Sequence, residues 1–211
     1  MVKCNFISHL ARVAFVNSPY YVPDIKEDSL MILETQRLLL REMTVSDLDA
    51  LLLVLGDAES MRYYPKPFDR EMVEKWIDRH RHNYAQHGVG LWAMVLKATG
   101  EVIGDCGLVW QEVEGHRELE IGYHVRCDQQ RQGYATEAAY TCQDYAFNVL
   151  GCDRVISLIR PENIPSRRVA EKNGLKVVQE TLWRNIPHYI YAVQRSESKL
   201  LTISNLRSRE V

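Results

Sequence analysis

Between Val125 and Glu137 the chain reads Val-Arg-Cys-Asp-Gln-Gln-Arg-Gln-Gly-Tyr-Ala-Thr-Glu, and here the residue types point most clearly to chemistry. A strand pattern ends, a polar loop follows, and a helical pattern opens at Ala135. Gly133 and Ala135, small residues at alternate positions, let backbone approach a ligand closely. The free amides of a helix start, backed by the helix dipole, make an anion site, and Arg131 adds a positive charge. The chemistry is that of a pyrophosphate cradle, although an ordinary strand-to-helix turn uses the same residue types. The loop lacks the Lys-Ser/Thr of a nucleotide-hydrolysing phosphate loop and the three-glycine spacing of a dinucleotide fold. His80, His82 and His87 form a second polar concentration, with His80 and His87 on a common helical face. No second ligand set accompanies them, so a wet helix face or a substrate-facing loop is expected there, with no metal. The five cysteines are odd in number and show no C-x-x-C spacing. Scattered reduced thiols in a cytoplasmic protein are the reading that follows.

Composition narrows the class. The chain has 211 residues with 26 Lys+Arg against 28 Asp+Glu, a net charge of -2. A dedicated nucleic-acid binder would carry a strongly basic domain, so none is expected as a partner. No apolar run approaches the ~18 residues that span a bilayer. Residues 1–30 read as an N-terminal extension, acid-free over residues 1–23 and loosely amphipathic. That pattern fits an organellar presequence or sequence upstream of a natural start at Met31. Residues 196–211 are Ser- and charge-rich and read as a tail or a loosely docked helix.

Between them, in residues 31–195, strands and helices alternate. Arg37 to Arg41 reads as a strand, and Thr44 and Asp47 are spaced as a capping box. The next helix carries Leu48, Leu51, Leu52 and Leu55 on one face. Asp69 caps a second helix, bearing Met72, Val73, Trp76, Ile77 and Tyr84, which stops at Gly88. Strands Leu91 to Ala98 and Val102 to Trp110 form a hairpin, and Leu119 to Val125 is a further strand. Ala135 to Leu150 is a helix with Ala138, Ala139, Cys142, Tyr145, Ala146 and Val149 inward. Val155 to Ile159 lacks polar alternation except at Ser157 and is expected to be central. A short helix, Ser166 to Asn173, and strands Leu175 to Glu180 and Tyr189 to Val193 complete the pattern. The order predicts a mixed α/β domain with one sheet.

Gln130-Arg131-Gln132-Gly133-Tyr134-Ala135 resembles the Q/R-x-x-G-x-G/A signature of the GNAT superfamily of acyl-CoA-dependent N-acyltransferases. Leu119 to Tyr123 looks like the preceding strand of its RimJ/RimL branch, which acetylates protein N-terminal amines. Gly133 to Ala138 is similar to that branch's helix start, and Asn163 to Leu175 to its second motif. Glu34 to Arg41 matches the opening strand. The resemblance spans roughly residues 31 to 195, in the right order and spacing. It implies a single central, mostly antiparallel, partly splayed sheet flanked by helices, with acetyl-CoA as cosubstrate. By the same resemblance Tyr123, His124, Val125, Gln130, Arg131, Gln132, Gly133, Tyr134, Ala135, Thr136, Asn163 and Ser166 contact that cosubstrate. Arg131, Arg167, Arg168 and Lys172 are available for its phosphates.

One departure stands out. Many members carry a tyrosine seven residues after the motif asparagine, which protonates the departing thiolate; that position here is Ala170. Ser166 is the hydroxyl left in the motif, as a catalytic acid or as a helix N-cap. The attacking amine must be neutral, and an α-amine near pKa ~8 needs less help than a lysine near ~10.4. Glu120 is the first candidate for the base, although a strand carboxylate can equally be solvated or ion-paired. Glu118 is the substitute. A backbone amide near Tyr123 to Val125 is expected to polarise the carbonyl. The acceptor is a protein N-terminal α-amine or, alternatively, a small-molecule amine such as an antibiotic or polyamine. A noncatalytic acyl-CoA-binding module is the remaining alternative. A peptide would need an open groove; a small amine would need a closed pocket with acidic lining. Tyr63 to Phe68, Trp76 to His87 and a Trp183 to Tyr189 loop are expected to line the acceptor pocket of a monomer or homodimer.

Overall fold

A computed structural model describes residues 31–197 of the chain. The expected N-terminal extension and residues 198–211 of the expected tail lie outside the described residues. Eight strands form one sheet in the order β1-β2-β3-β4-β5-β6-β8-β7. They are β1 (Met31–Glu34), β2 (Leu38–Arg41), β3 (Leu91–Leu96), β4 (Val102–Val113), β5 (His116–Val125), β6 (Arg154–Ile159), β7 (Lys176–Trp183) and β8 (Ile186–Gln194). Four helices cover it: α1 (Leu48–Leu55), α2 (Arg70–His87), α3 (Tyr134–Asn148) and α4 (Ile164–Lys172). Every neighbouring pair is antiparallel except β5 and β6.

The inner strands are apolar on both faces because helices cover both. Along β3, Trp92 and Met94 enter the core shared with α3, whereas Leu91, Ala93 and Val95 pack with Leu51, Leu55, Val73 and Ile77 from α1 and α2. Period-2 alternation thus divides one continuous apolar run between two cores. As expected, β6 lies inside the sheet, between β5 and β8.

Several boundaries differ from the sequence reading. The opening strand is two antiparallel strands, β1 and β2, around Thr35 to Arg37. β4 and β5 run on to a two-residue turn, Glu114-Gly115, with φ of 52° and 75°. The expected Trp183 to Tyr189 loop is likewise a hairpin, turning at Arg184-Asn185 with φ of 51° and 62°. Two left-handed residues in a two-residue loop match the twist of the strands they join. Val149 is 43% exposed rather than inward, because α3 ends at Asn148 and leaves it past the last turn. His80 is fully buried in the α2 face rather than wet, its Nδ1 accepting from Leu91 N–H at 3.0 Å.

Candidate active site

The site begins where the sheet stops being continuous. β5 and β6 share one paired position, Glu120 opposite Ile156. Parallel pairing there turns the N–H and C=O groups of Leu119 and Ile121 toward β6, and by alternation those of Tyr123 and Val125 also. Beyond Glu120 the ladder ends because side chains take its bonds. Leu158 N–H, the next donor on β6, goes to Glu120 Oε1 at 3.2 Å. The Ile121 carbonyl accepts from Ser157 Oγ at 2.9 Å. The strands therefore splay, and the Tyr123 amide opens onto the gap. The resulting cleft has a volume of about 1730 Å³, beyond the ~300–1,000 Å³ of a single small-molecule pocket, so it can hold two reactants.

Glu120 stands at the apex, half-buried, its Oε2 accepting from Gln111 Nε2 at 2.8 Å. Burial raises its carboxyl pKa above the ordinary glutamate value, and the bonds from Gln111 and Leu158 only partly offset that. Glu118 lies on the same strand face but is taken by Arg154 Nη1 at 2.9 Å. It is not a free substitute base.

At one end of the cleft, α3 starts without a side-chain cap. Its first-turn amides lack intrahelical partners and remain free for an anion. Arg131 (φ 62°) and Gly133 (φ 86°) both take the left-handed conformation that folds the loop back onto the helix start. Gln130, Arg131, Gly133, Tyr134, Ala135 and Thr136 line the cleft, as do Arg168 and Lys172. Gln130 Nε2 fastens the loop to the Val125 carbonyl at 3.0 Å. Two expected members are elsewhere. Gln132 is outside the lining; its carbonyl accepts from Arg37 Nη1 at 2.9 Å and its amide turns to Gln129. Arg167 is spent on the Pro161 carbonyl and the Tyr191 hydroxyl, both at 2.9 Å. Arg37 and Glu137 brace the cradle from behind, with Arg37 Nε and Nη2 each 2.7 Å from Glu137 Oε2.

On the other side of the gap, α4 is capped by Asn163, whose Oδ1 accepts from Ser166 N–H at 3.1 Å. The helix starts at Ile164, two residues before the expected Ser166, with Pro165 in its first turn where a missing N–H costs nothing. Ser166 is therefore not the cap. Its hydroxyl lies 2.9 Å from the Tyr123 hydroxyl, which also donates to the Ser166 carbonyl at 2.9 Å. Burial raises the Tyr123 pKa and keeps the phenol protonated. Tyr123, Asn163 and Ser166 all face the cleft.

The face under α2 carries a second polar assembly. Asp105 of β4 is fully buried. Its Oδ1 is 2.7 Å from His124 Nδ1, and its Oδ2 accepts from Trp76 Nε1 at 3.0 Å. His124 Nε2 is 2.7 Å from the Tyr64 hydroxyl. Burial pushes the Asp105 pKa up, but His124 outweighs it and holds the carboxyl below its ordinary value. Tyr64 is raised, chiefly by burial of its hydroxyl. Arg79 lies 4.2 Å over the Trp76 ring and Arg184 4.2 Å over Trp183, neither in an ion pair with a carboxylate among the described residues. Among those residues no group of three or more His, Cys, Asp or Glu could hold a metal ion, and no helix is long and apolar enough to cross a membrane.

The profile of the Acetyltransferase (GNAT) domain matches residues 37–176. The chain belongs to the GNAT acetyltransferase family. As a GNAT protein it is an acyl-CoA-dependent N-acetyltransferase. It is 37% identical over 160 residues to the uncharacterized protein YkkB of Bacillus subtilis, covering 75% of this chain and 93% of that one. It is 31% identical over 147 residues to the uncharacterized N-acetyltransferase YnaD of the same organism, covering 69% and 83%. Spermidine N(1)-acetyltransferase of Escherichia coli is 27% identical over 146 residues, covering 68% and 75%. A GNAT-family acetyltransferase structure from Bacillus anthracis superposes with a TM-score of 0.67 at 26% identity, covering 79% and 100%. RimL, a ribosomal L7/L12 alpha-N-protein acetyltransferase, superposes at 0.69 and 18% identity, covering 82% and 98%.

One group of this GNAT site escaped the sequence reading. Asp105 left one signal, a lone carboxylate within the otherwise apolar run Val102 to Leu108. Tyr64 belongs to the Tyr63 to Phe68 segment expected at the acceptor pocket and lines the cleft, but nothing in that segment singles out its bond to His124. The neighbouring Gly104 is explained by contact, since a Cβ there would lie 2.0 Å from the His124 carbonyl oxygen.

Proposed function

We propose that this protein transfers an acetyl group from acetyl-CoA to an α-amine, that of a protein N-terminus, by direct attack. The observation that carries the reading is the splay itself. Glu120 stands at its apex, the uncapped α3 N-terminus at one wall, and the Tyr123 amide between them. When bound, acetyl-CoA supplies a thioester carbonyl. The α3 amides with Arg131, Arg168 and Lys172 hold its phosphates, and the Tyr123 N–H polarises the carbonyl oxygen. Asn163, its Oδ1 spent on the helix cap, keeps an amide group for the pantetheine arm. Glu120 takes a proton from the attacking nitrogen, its raised pKa bringing it closer to that of the amine. Ser166, hydrogen-bonded to Tyr123, supplies a proton to the departing thiolate.

The acceptor side favours a peptide end over a polyamine. The cleft is large, and apart from the phosphate cradle its lining carries Arg62, Lys66, Lys75, Arg79, Arg160 and Arg184 against two carboxylates, Glu59 and Glu120. An excess of positive charge repels a polycation. The relatives named above include both a spermidine and a ribosomal-protein acetyltransferase, so the charge of the lining is what separates the readings. Mass spectrometry after incubation with acetyl-CoA, tetra-alanine and spermidine tests this. Acetylated tetra-alanine is expected; spermidine turned over far faster than any peptide would move the enzyme to the small-amine class.

A further inference from the structure

We propose that Tyr64, His124 and Asp105 form a proton relay that strips the acceptor ammonium before attack, an inference that rests on the acetyl-transfer reading above. An ammonium has no lone pair. It must lose one proton before its nitrogen can bond the thioester carbon and a second once that bond has formed. The thiolate recovers one proton, so each turnover releases one net. Glu120 accounts for the second loss; the first needs its own acceptor.

The geometry supplies one. Asp105, fully buried, accepts from Trp76 Nε1 through Oδ2 and lies 2.7 Å from His124 Nδ1 through Oδ1, so in the relay it holds the Nδ1 proton in place. Nε2 then holds a lone pair, and the Tyr64 hydroxyl 2.7 Å away donates to it. Tyr64 also lines the cleft. When the ammonium N–H bond breaks, its proton passes to the Tyr64 oxygen as the Tyr64 proton passes to His124 Nε2. The imidazolium so formed faces the Asp105 carboxylate, 2.7 Å from its Nδ1, which favours the charge while it is held there. The imidazolium then returns the proton to solvent. Tyr64 is the catalytic residue here; His124 and Asp105 act through it.

The groups facing His124 leave it this task. Asp105 comes from β4, Tyr64 from the α1–α2 connection, and Trp76, Arg79 and His80 from α2. Glu120 shares its strand, and Arg184 reaches in from the β7–β8 turn. Burial and Arg79 drive the His80 pKa down to about 3, so it stays neutral and buried.

The test is the pH dependence of Tyr64→Phe with acetyl-CoA and tetra-alanine as probes. At pH 7 the variant is expected to lose about 10²-fold in kcat/KM for the peptide, with KM for acetyl-CoA within about twofold. The loss shrinks toward zero as pH rises past the amine pKa of ~8, where the first deprotonation needs no help. A damaged pocket wall would give a pH-independent loss. Asp105→Asn is expected to behave alike, because an amide can donate to Nδ1 and move the imidazole proton to Nε2 (compare the Asp-to-Asn change in the serine-protease triad). Nitrogen-15 NMR of the wild-type histidines reads that proton directly. An Nε2–H tautomer for His124 overturns the relay, as does a Tyr64→Phe enzyme within twofold of wild type at pH 7. A wild type that acetylates spermidine but not tetra-alanine overturns the α-amine reading alone; the relay is then read from the same Tyr64→Phe comparison on spermidine, whose ammonium needs the same first deprotonation.

Discussion

The Tyr123 phenol and Ser166 are joined at two points, the Ser166 carbonyl and the Ser166 hydroxyl, each 2.9 Å away. A phenol has one proton. With that proton on the carbonyl, the Ser166 O–H is the donor of the second contact and points at the Tyr123 oxygen. The two hydroxyls thus form one proton-carrying unit across the open side of the splay. Asn163, not Ser166, caps α4. Ser166→Ala is therefore expected to cost less stability than the about 1 kcal/mol typical of losing a cap, and kcat should fall about 10-fold, about 1.4 kcal/mol of barrier. KM for acetyl-CoA should change less. Tyr123→Phe should do the same, and the double variant should be little worse than either single one. Additive losses, measured by steady-state kinetics, would show two separate roles.

Gly133 sits at φ 86°, where a side chain costs about 1–2 kcal/mol. A Cβ there would meet only the end of the Arg37 side chain, at 3.4 Å. Gly133→Val should therefore fold with a Tm a few degrees lower while losing CoA affinity, because the added bulk fills the close approach to the α3 amides. Calorimetric titration with CoA checks this, and unchanged affinity would remove the cradle from the 130–136 loop.

Much of this frame can be read from the sequence because it rests on local physics. The heptad-like leucines of α1, the Asp69 cap, which takes Met72 N–H at 2.9 Å, and the run Val155 to Ile159 of β6, apolar except at Ser157, each carry their own signal. The hairpin turns Glu114-Gly115 and Arg184-Asn185 were less legible, since glutamate and arginine do not announce a left-handed residue. Of the candidate site, the α3 cradle was legible because small residues at a helix start have a mechanism. The splay came only through the family resemblance and not from local pattern, because it depends on Glu120 and Ser157 each capturing a backbone partner on the neighbouring strand, more than 30 residues away. Asp105, His124 and Tyr64 come from three separate segments, and no spacing rule links them.

Glu137 ties the β1–β2 turn to the helix start. It accepts from Thr35 Oγ1 at 2.6 Å and Arg37 N–H at 2.9 Å, besides the Arg37 guanidinium. Burial opposes its ionisation, but these partners prevail and lower its pKa. A depressed carboxylate contributes stability above its unfolded pKa of ~4.3 and loses it as pH falls through the folded value. Glu137→Gln should thus be destabilised by about 1–3 kcal/mol at pH 7, with the gap closing below pH ~4. Denaturant melts at the two pH values measure it; a gap that persists in acid would assign the effect to packing.

Glu120 has the opposite sign, and stability and activity should report it together. Burial raises its pKa, so the folded protein holds that proton more tightly than the unfolded chain. Its stability contribution is full below the unfolded pKa of ~4.3 and is lost as pH rises through the higher folded value. The Tm of Glu120→Gln relative to wild type should therefore climb between pH 4 and pH 8. A constant offset from the imperfect fit of an amide between two donors, Gln111 Nε2 and Leu158 N–H, does not alter that slope. Catalysis needs the carboxylate, so wild-type kcat/KM should fall on the acid side at a pKa above that of an ordinary glutamate. Glu120→Gln should lose that limb and retain a low, flatter rate. A variant with the expected stability slope but an unchanged pH–rate profile would leave Glu120 as the wedge that opens the sheet and assign proton removal elsewhere.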